Sequence, residues 1–543
     1  MKNINIGTAT SKASLDTNFR NTHDNFVELF NRVADDLAVL RGIPSASGVV
    51  YMKGRATTGD GGQGAFVWDS SDLSVQVTAD TLGGIYVAPD SDPTGSSGAW
   101  VRLLANEIYP DWYAVNTVPG TTDMYAAIIA ALSAAGSKKT VTFLPGVVYA
   151  SSTEIQGKLP EKFIGPKING NFATIKSLNA MASVLTVGTT TTRQVNIKNL
   201  ILDANSLATY GFKGVMITEQ DSLIENLTAI NAVSHGIYCD GCQVSTFRNI
   251  KSSNNGGDGY LFESCNGLSL ETPRATANAA NGITIQRGSR AFTGGMQMHN
   301  PDIEQNLGHG IRVVDTLSPV TISGGWLESN AMDGINISAV GVSVKNVGII
   351  GGDAGNTYRA VRLAEGAKGC EVSGNKLAYS LGTGAFAKVR NESTGLNNTI
   401  NPNYTRSSGG VVRGEYAVAS QSNPLVITGV TSIDNIPKTL FNFAGTIEQG
   451  VHIKLVITGN CVGFTYYTVS VGITIVANGT ATYAAQDTLV QANNGSSVLP
   501  VFTLSGSGTS MAIQFNHRSA TASDATWVAE IIGKFTPTLI IIP

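Results

Sequence analysis

Between residues 205 and 361 one turn-like triplet returns seven times: Tyr210-Gly211-Phe212, His235-Gly236-Ile237, Asp258-Gly259-Tyr260, Asn281-Gly282-Ile283, His309-Gly310-Ile311, Asp333-Gly334-Ile335 and Arg359-Ala360-Val361. The small residues lie 25, 23, 23, 28, 24 and 26 positions apart. An asparagine precedes each by four to six residues: Asn205, Asn231, Asn254, Asn278, Asn306, Asn330 and Asn356. Self-similarity at such a period marks a solenoid. Between the triplets, runs such as Ile311-Arg312-Val313 and Val320-Thr321-Ile322 alternate apolar and polar residues, which is strand periodicity. No helix-length apolar pattern falls inside the period, so leucine-rich, ankyrin and tetratricopeptide arrays are excluded. The pattern predicts an all-β chain centred on a parallel β-helix, one coil per period. Glycine is expected to turn each corner by adopting φ > 0, and asparagine to do the same or to stack in ladders.

Composition agrees with an extended β protein and removes several function classes. Only 14% of the 543 residues are charged, the formal net charge is −3, and there are 61 glycines. Nothing is basic enough to track nucleic acid or an anionic membrane. The start, Met1-Lys2-Asn3-Ile4-Asn5, has no apolar signal-peptide core, and no run of 18 apolar residues exists to span a membrane. Five cysteines argue against a complete disulfide framework. Cys242 and Cys265 each follow a repeat glycine by six residues and should stack in neighbouring coils as buried thiols, which fits folding in a reducing cytoplasm.

Outside the repeat the chain changes character four times. Residues 15–40 read as a helix with an a/d seam (Leu15, Phe19, Thr22, Phe26, Leu29, Val33, Leu40), which implies a homo-oligomer. Residues 46–108 carry short strands around Gly59-Asp60-Gly61-Gly62-Gln63-Gly64; no Lys-Ser/Thr follows, so this is a turn cluster and not a phosphate loop. A helix over Asp123–Ala135 would cap the open end of the solenoid. After about residue 415 the repeat is lost, and strands around 451–457, 467–475 and 510–515 read as a separate antiparallel β-sandwich.

Three stretches carry a family resemblance. Tyr109-Pro110-Asp111-Trp112-Tyr113-Ala114, Thr121-Thr122-Asp123-Met124-Tyr125-Ala126-Ala127-Ile128 and Leu144-Pro145-Gly146-Val147-Val148-Tyr149 resemble the entry to the β-helices of bacteriophage tailspikes of the pectate-lyase-like superfamily. Residues 59–69 with Gly98-Ala99-Trp100-Val101-Arg102 look like a module that precedes such β-helices. Ile4-Asn5-Ile6-Gly7-Thr8 and Asn25-Phe26-Val27-Glu28-Leu29 are similar to the N-termini of phage tail fibres and spikes. The resemblance implies a right-handed parallel β-helix, a homotrimer held to the phage tail or baseplate by its N-terminus, and residence in the virion after synthesis in the host cytoplasm. It also implies recognition, and usually cleavage, of a bacterial capsule or O-antigen polysaccharide without a cofactor. On this reading residues 1–45 are an attachment and coiled-coil segment, 46–108 a neck module, 109–415 the β-helix, and 416–543 a C-terminal β-sandwich for trimerisation or carbohydrate binding. Catalytic residues shift position within that superfamily, so no motif transfers them.

The coil alignment nominates candidates directly. Glu304 and Glu328 each lie two residues before their repeat asparagine and should stack about 4.8 Å apart along adjacent strands. Two residues earlier Asp302 stacks on Trp326, and alternation puts all four on one face. Close carboxylates divide into a proton donor and an ionised partner, the pairing that glycoside hydrolysis requires, and an indole offers a face to a sugar ring. A second column precedes the glycines (His235, Asp258, Asn281, His309, Asp333, Arg359), and Arg312 lies two residues after one of them; His309, Arg312 and Asp333 could bind substrate, or His309 with Arg312 could serve a lyase as base and cation, although corner residues are more often simply solvated. Asp240 and Glu263 form a reserve acidic pair four residues after their glycines. No nucleophile elbow favours an esterase, and no histidine spacing suits zinc. Endo-hydrolase, polysaccharide lyase, non-cutting receptor spike and structural shaft are the readings in play.

Overall fold

The computed structural model describes residues 33–541 apart from 45–47, 104–105, 158–164, 189–192, 219–221, 291–292, 352–358, 380–388, 394–396, 401–402, 407–411, 414, 419–424, 434–437, 462–463, 478–480, 493–500, 508–509 and 517–522, with backbone alone from Tyr404 onward. The chain divides into two units, 1–208 and 209–543.

The N-terminal unit opens with a five-stranded sheet around a core of Ala34, Leu40, Val50, Met52, Phe66, Val87 and Trp100. Of the helix expected over 15–40, residues 15–32 lie outside the described residues. Within the remainder, Val33–Ala34 is a strand paired with Tyr51–Met52, and the helix runs only from Leu37 to Gly42, capped by the Asp36 side chain on the Val39 N–H. The glycine cluster is a turn, as expected: Asp60 accepts the backbone N–H groups of Arg55, Ala56, Thr57 and Gly62. Arg102 is buried between the rings of Phe66 and Trp112, each 4.4 Å away, and donates to the carbonyls of Gly62, Gln63 and Gly84. That guanidinium ties the sheet to the Pro110–Trp112 turn by hydrogen bonds and cation–π contacts, a strong combination where water is excluded. The helix expected at 123–135 is Tyr125–Ala135, packed through Ile128, Ala131 and Leu132 onto the first parallel strands.

The second unit is built of coils with three strands each. The coil around residue 300 has Met296–His299, Asp302–Glu304 and Ile311–Val314. Each pairs in parallel with its counterpart one coil on: Val320–Ser323, Trp326–Glu328 and Ile335–Ser338. Three strand files result, and their inward positions are apolar. The third file buries Ile237, Tyr260, Ile283, Ile311, Ile335 and Val361; the second buries Ile303, Leu327, Ile349 and Leu377. Each such side chain contributes about 1.5–3 kcal/mol as an upper figure. The residue after each repeat glycine aligns with the next in unbroken register: Phe212, Ile237, Tyr260, Ile283, Ile311, Ile335, Val361. Beyond residue 425 the strands are long and antiparallel, Lys438–Cys461 pairing with Phe464–Ala477 and with Ser523–Ile541.

The corner between second and third strands corrects two details of the repeat. Its glycines do not have positive φ; the left-handed residue lies five positions earlier, at Asn231, Asn254, Ala277, Gln305 and Ser329. Glycine is needed instead because there is no room for a Cβ. At Gly282 it would lie 2.3 Å from Ile303 Cγ2 and 2.6 Å from the Gly310 carbonyl; at Gly310 it would meet the Gly334 carbonyl at 2.6 Å. The stacked asparagines are those four residues before the glycine, so Asn255, not Asn254, heads the ladder. Asn255 Nδ2 donates to Asn278 Oδ1, Asn278 Nδ2 to Asn306 Oδ1, and Asn306 Nδ2 to Asn330 Oδ1, all at 2.8 Å. Each Oδ1 also accepts the preceding asparagine's backbone N–H.

Asn306 bridges three coils, because its amide nitrogen also reaches the Ala275 and Glu304 carbonyls. Asn306→Ala therefore strips partners from several buried groups at roughly 1–3 kcal/mol each. The expected outcome is a clear fall in melting temperature, monitored by circular dichroism. A variant as stable as the parent would show the ladder to be dispensable.

Candidate active site

In the second file, burial of Ile303 and Leu327 turns the neighbouring side chains outward. Asp302 aligns with Trp326 and Glu304 with Glu328, as the spacing predicts. Arg274, one coil earlier in the Asp302 column, sets its Nε 3.5 Å from Asp302 Oδ2. Trp326 is 40% exposed and donates its Nε1–H to Glu328 Oε2 at 3.0 Å. One coil on stands Gly348, where a Cβ would lie 2.4 Å from the indole. The ring thus lies along the strand surface because its neighbour has no side chain.

The carboxylates differ in their surroundings. The Glu304 carboxyl is pushed above the usual range, first by burial, then by the charge of Asp302, by a hydrogen bond with Asp302 and by the charge of Glu328; Arg274 opposes the shift. A protonated Glu304 beside Asp302 and Glu328 is an acid adjoining bases, the division that glycoside cleavage uses.

The candidates preceding the glycines form a different structure. They are not solvated corners: the Asp258 and Asp333 side chains are buried, and the column caps the backbone of successive coils. Asp258 N–H donates to His235 Nδ1, Asn281 N–H to Asp258 Oδ1, His309 N–H to Asn281 Oδ1, and Arg359 N–H to Asp333 Oδ1. His309 breaks the series. Its buried Nδ1 lies 3.4 Å from Asp333 Oδ2 without hydrogen-bond geometry. Burial lowers its pKa, and Arg312 and Arg362 lower it further against the pull of Asp333, so the imidazole is neutral at neutral pH. Arg312, two residues after the glycine, points outward and is half-buried.

Asp240 and Glu263 align as expected, yet both carboxylates are engaged. Arg290 reaches Asp240 with Nε and Nη2, each at 3.3 Å; Glu263 accepts from Tyr238 Oη at 2.8 Å and Gln286 Nε2 at 2.7 Å. Tyr210 stacks on Tyr238 at 4.7 Å. Arg274, Arg290 and this tyrosine pair are absent from the candidates that coil spacing nominates. Arg274 was findable, since it occupies the Asp302 column; Arg290 lies in a loop whose reach the period does not encode. Cys239, Cys242 and Cys265 are fully buried free thiols, the last two in adjacent coils, and burial pushes Cys239 and Cys265 up, away from reactivity. Among the described residues no group of three His, Cys, Asp or Glu could hold a metal ion.

A family model for right-handed β-helix regions matches residues 184–348. No curated protein matches the chain. The enzymatically active domain of tailspike protein 2 of bacteriophage CBA120 aligns with a TM-score of 0.51 at 12% identity, over 93% of this chain and 91% of that one. A tailspike protein of Acinetobacter baumannii bacteriophage Fri1, a capsular polysaccharide depolymerase, aligns at 0.37 and 11% identity, over 93% and 100%. The A-module of an Azotobacter vinelandii mannuronan C-5 epimerase aligns at 0.43 and 20% identity, over 55% and 88%. The chain has a tailspike-like, right-handed parallel β-helix.

The Gly348–Trp326 contact gives a direct test of the platform. Gly348→Ala should displace the indole, because the added methyl falls inside its van der Waals radius. The difference fluorescence spectrum against Trp326→Phe should shift; an unchanged spectrum would show that the ring does not rest there.

Proposed function

We propose that this protein is a phage tailspike that binds and depolymerises a bacterial surface polysaccharide, capsule or O-antigen, by endo-acting glycoside hydrolysis. The observation that carries the reading is the raised Glu304 carboxyl set beside Asp302 and Glu328, with the Trp326 ring on the same face. Glu304 protonates the leaving glycosidic oxygen. Glu328, one strand spacing of about 4.8 Å away, suits a nucleophile in a retaining mechanism; the diagonal Asp302–Glu328 pairing suits a water-activating base in an inverting one. Trp326 stacks a sugar ring across the cleavage point. The tailspike-like fold and the tailspikes among similar structures support this reading. With it go a homotrimer, virion attachment through residues 1–45, a neck at 46–108, the β-helix at 109–415 and a C-terminal β-sandwich at 416–543.

One observation favours a second reading, β-elimination from a uronate. His309 presents a neutral imidazole next to Arg312, a base beside a cation that could stabilise an enolate. New ultraviolet absorbance from an unsaturated uronate in the products would select it and reject hydrolysis. A spike that holds glycan without cutting would instead bind capsule and leave its viscosity unchanged.

The test is incubation of the purified full chain with capsules from a host panel, following viscosity and released oligosaccharides. Glu304→Gln and Glu328→Gln should each lower the cleavage rate by roughly 10²-fold or more, as loss of an acid or a nucleophile does. For the parent, the limb of the pH–rate profile on the alkaline side should fall as pH rises through the raised Glu304 pKa, because the acid must be protonated to act. Glu304→Gln should remove that limb. Near-normal cleavage by both variants would eliminate the patch as the catalytic centre.

A further inference from the structure

At one outward position the third strand file carries Arg312, Asn336, Arg362 and Arg390 in direct register, the first two lying two residues after a repeat glycine. Three guanidinium groups thus stand along one line within four consecutive strands, a span of about 14 Å at one strand spacing of roughly 4.8 Å each. Each is partly exposed, Arg362 and Arg390 by 40% and 39%.

Their carboxylate partners are few. Glu392 alone serves two of them, lying 2.6 Å from Arg362 Nη2 and 2.5 Å from Arg390 Nε. Asp333 is committed elsewhere: it is buried, accepts from Asn336 Nδ2 and the Arg359 N–H, and comes only within 3.9 Å of Arg362. Arg312 has no carboxylate within ion-pair distance among the described residues. Arg359 adds a further cation, its pKa lowered by burial and by the like charge of Arg390. Arg362 and Arg390 are held side by side by the one carboxylate, and two guanidiniums carry more N–H donors than it can accept. That is a receptor for anions spaced along a line, and guanidinium forks match carboxylates in particular.

We propose that the Arg312–Arg362–Arg390 file is a binding track for a carboxylate-bearing polysaccharide laid along the coil axis, so that the substrate class is an acidic glycan. The inference rests on the depolymerase reading only for the bound polymer being a glycan. A repeating acidic sugar can meet Arg312, Arg362 and Arg390 in turn because the protein repeats once per coil. Asn336, with its amide turned to Asp333, leaves the gap between the first two cations uncharged.

The test is affinity electrophoresis of the full chain in gels containing polygalacturonate, hyaluronan or neutral dextran, at low and high ionic strength. Retardation by either acidic polymer, weakened by salt and absent with dextran, is expected. Arg312→Gln and Arg390→Gln should each weaken binding about tenfold, the loss of one charge-assisted contact. Arg312→Lys should recover part of it, and melting curves should stay unchanged. The proposal is overturned if neither acidic polymer retards the chain, if dextran retards it equally, if the glutamine variants bind like the parent, or if single-stranded DNA binds as tightly as the acidic polysaccharides. Glu304→Gln separates the two readings, since it should lose cleavage while keeping the retardation. Cleavage of a neutral capsule, undiminished in the arginine variants, would sink the acidic track and spare the depolymerase. Retention of acidic polymers with no capsule cut would do the reverse.

Discussion

The asparagine ladder at the corner between second and third strands is the constraint on which the outward surface depends. A parallel strand can slip by one residue only by exchanging its inward and outward faces. Here the slip is blocked from both sides of the corner. Asn255, Asn278 and Asn306 each bond the next coil through side chain and backbone, inside a region closed to water. The glycines four residues on bring the backbones so close that a Cβ would strike the next carbonyl. In a buried, low-dielectric setting each unmade amide bond costs more than it would in water, so the ladder is unforgiving of misalignment. Alignment of Glu304 with Glu328 follows from it.

Much of this was legible in the sequence, because strand pairing converts a period into neighbours. The pairings Asp302–Trp326, Glu304–Glu328 and Asp240–Glu263 could be written down from spacing alone, and the structure has them in register. The causes were less legible. Glycine and asparagine both suggest left-handed backbone, yet the left-handed position also takes Ala277, Gln305 and Ser329, held there by their surroundings. Counting asparagines without the ladder merged two adjacent columns, so Asn254 stood in for Asn255. Long-range side chains escaped for another reason: Arg290 reaches Asp240 across fifty residues of sequence from a loop, and loop reach has no periodic signature. Likewise the helical seam over 15–40 fits a heptad, but at Val33 pairing with Tyr51 overrides helical propensity.

Two outward stretches of the second unit, one in the second file and one in the third, have opposite electrostatic character. At Asp302, Glu304 and Glu328 in the second file carboxylates crowd, and the Glu304 pKa rises; along Arg312, Arg362 and Arg390 in the third guanidiniums crowd, and the last two share one glutamate. The His235-to-Arg359 column lies beside the latter and is largely spent on capping backbone N–H groups. Its aspartates are therefore occupied in holding successive coils together. His309 is the exception, because its ring nitrogen caps nothing.

In the acidic patch the partners of each carboxyl distinguish the acid from the acceptors. Glu328 has a donor fixed on it, the Trp326 N–H, and Asp302 has the Arg274 guanidinium within reach. Both partners suit a carboxylate that acts as an acceptor. Glu304 has neither. Burial and the charges of Asp302 and Glu328 raise its pKa, the direction that a proton donor needs. A proton donor flanked by two acceptors, each oriented by its own partner, is the arrangement that cleavage of a glycosidic bond demands. It arises here because a coil of 24 residues sets Glu328 on Glu304, a coil of 28 residues sets Asp302 on Arg274, and strand alternation puts Asp302 and Glu304 on one face.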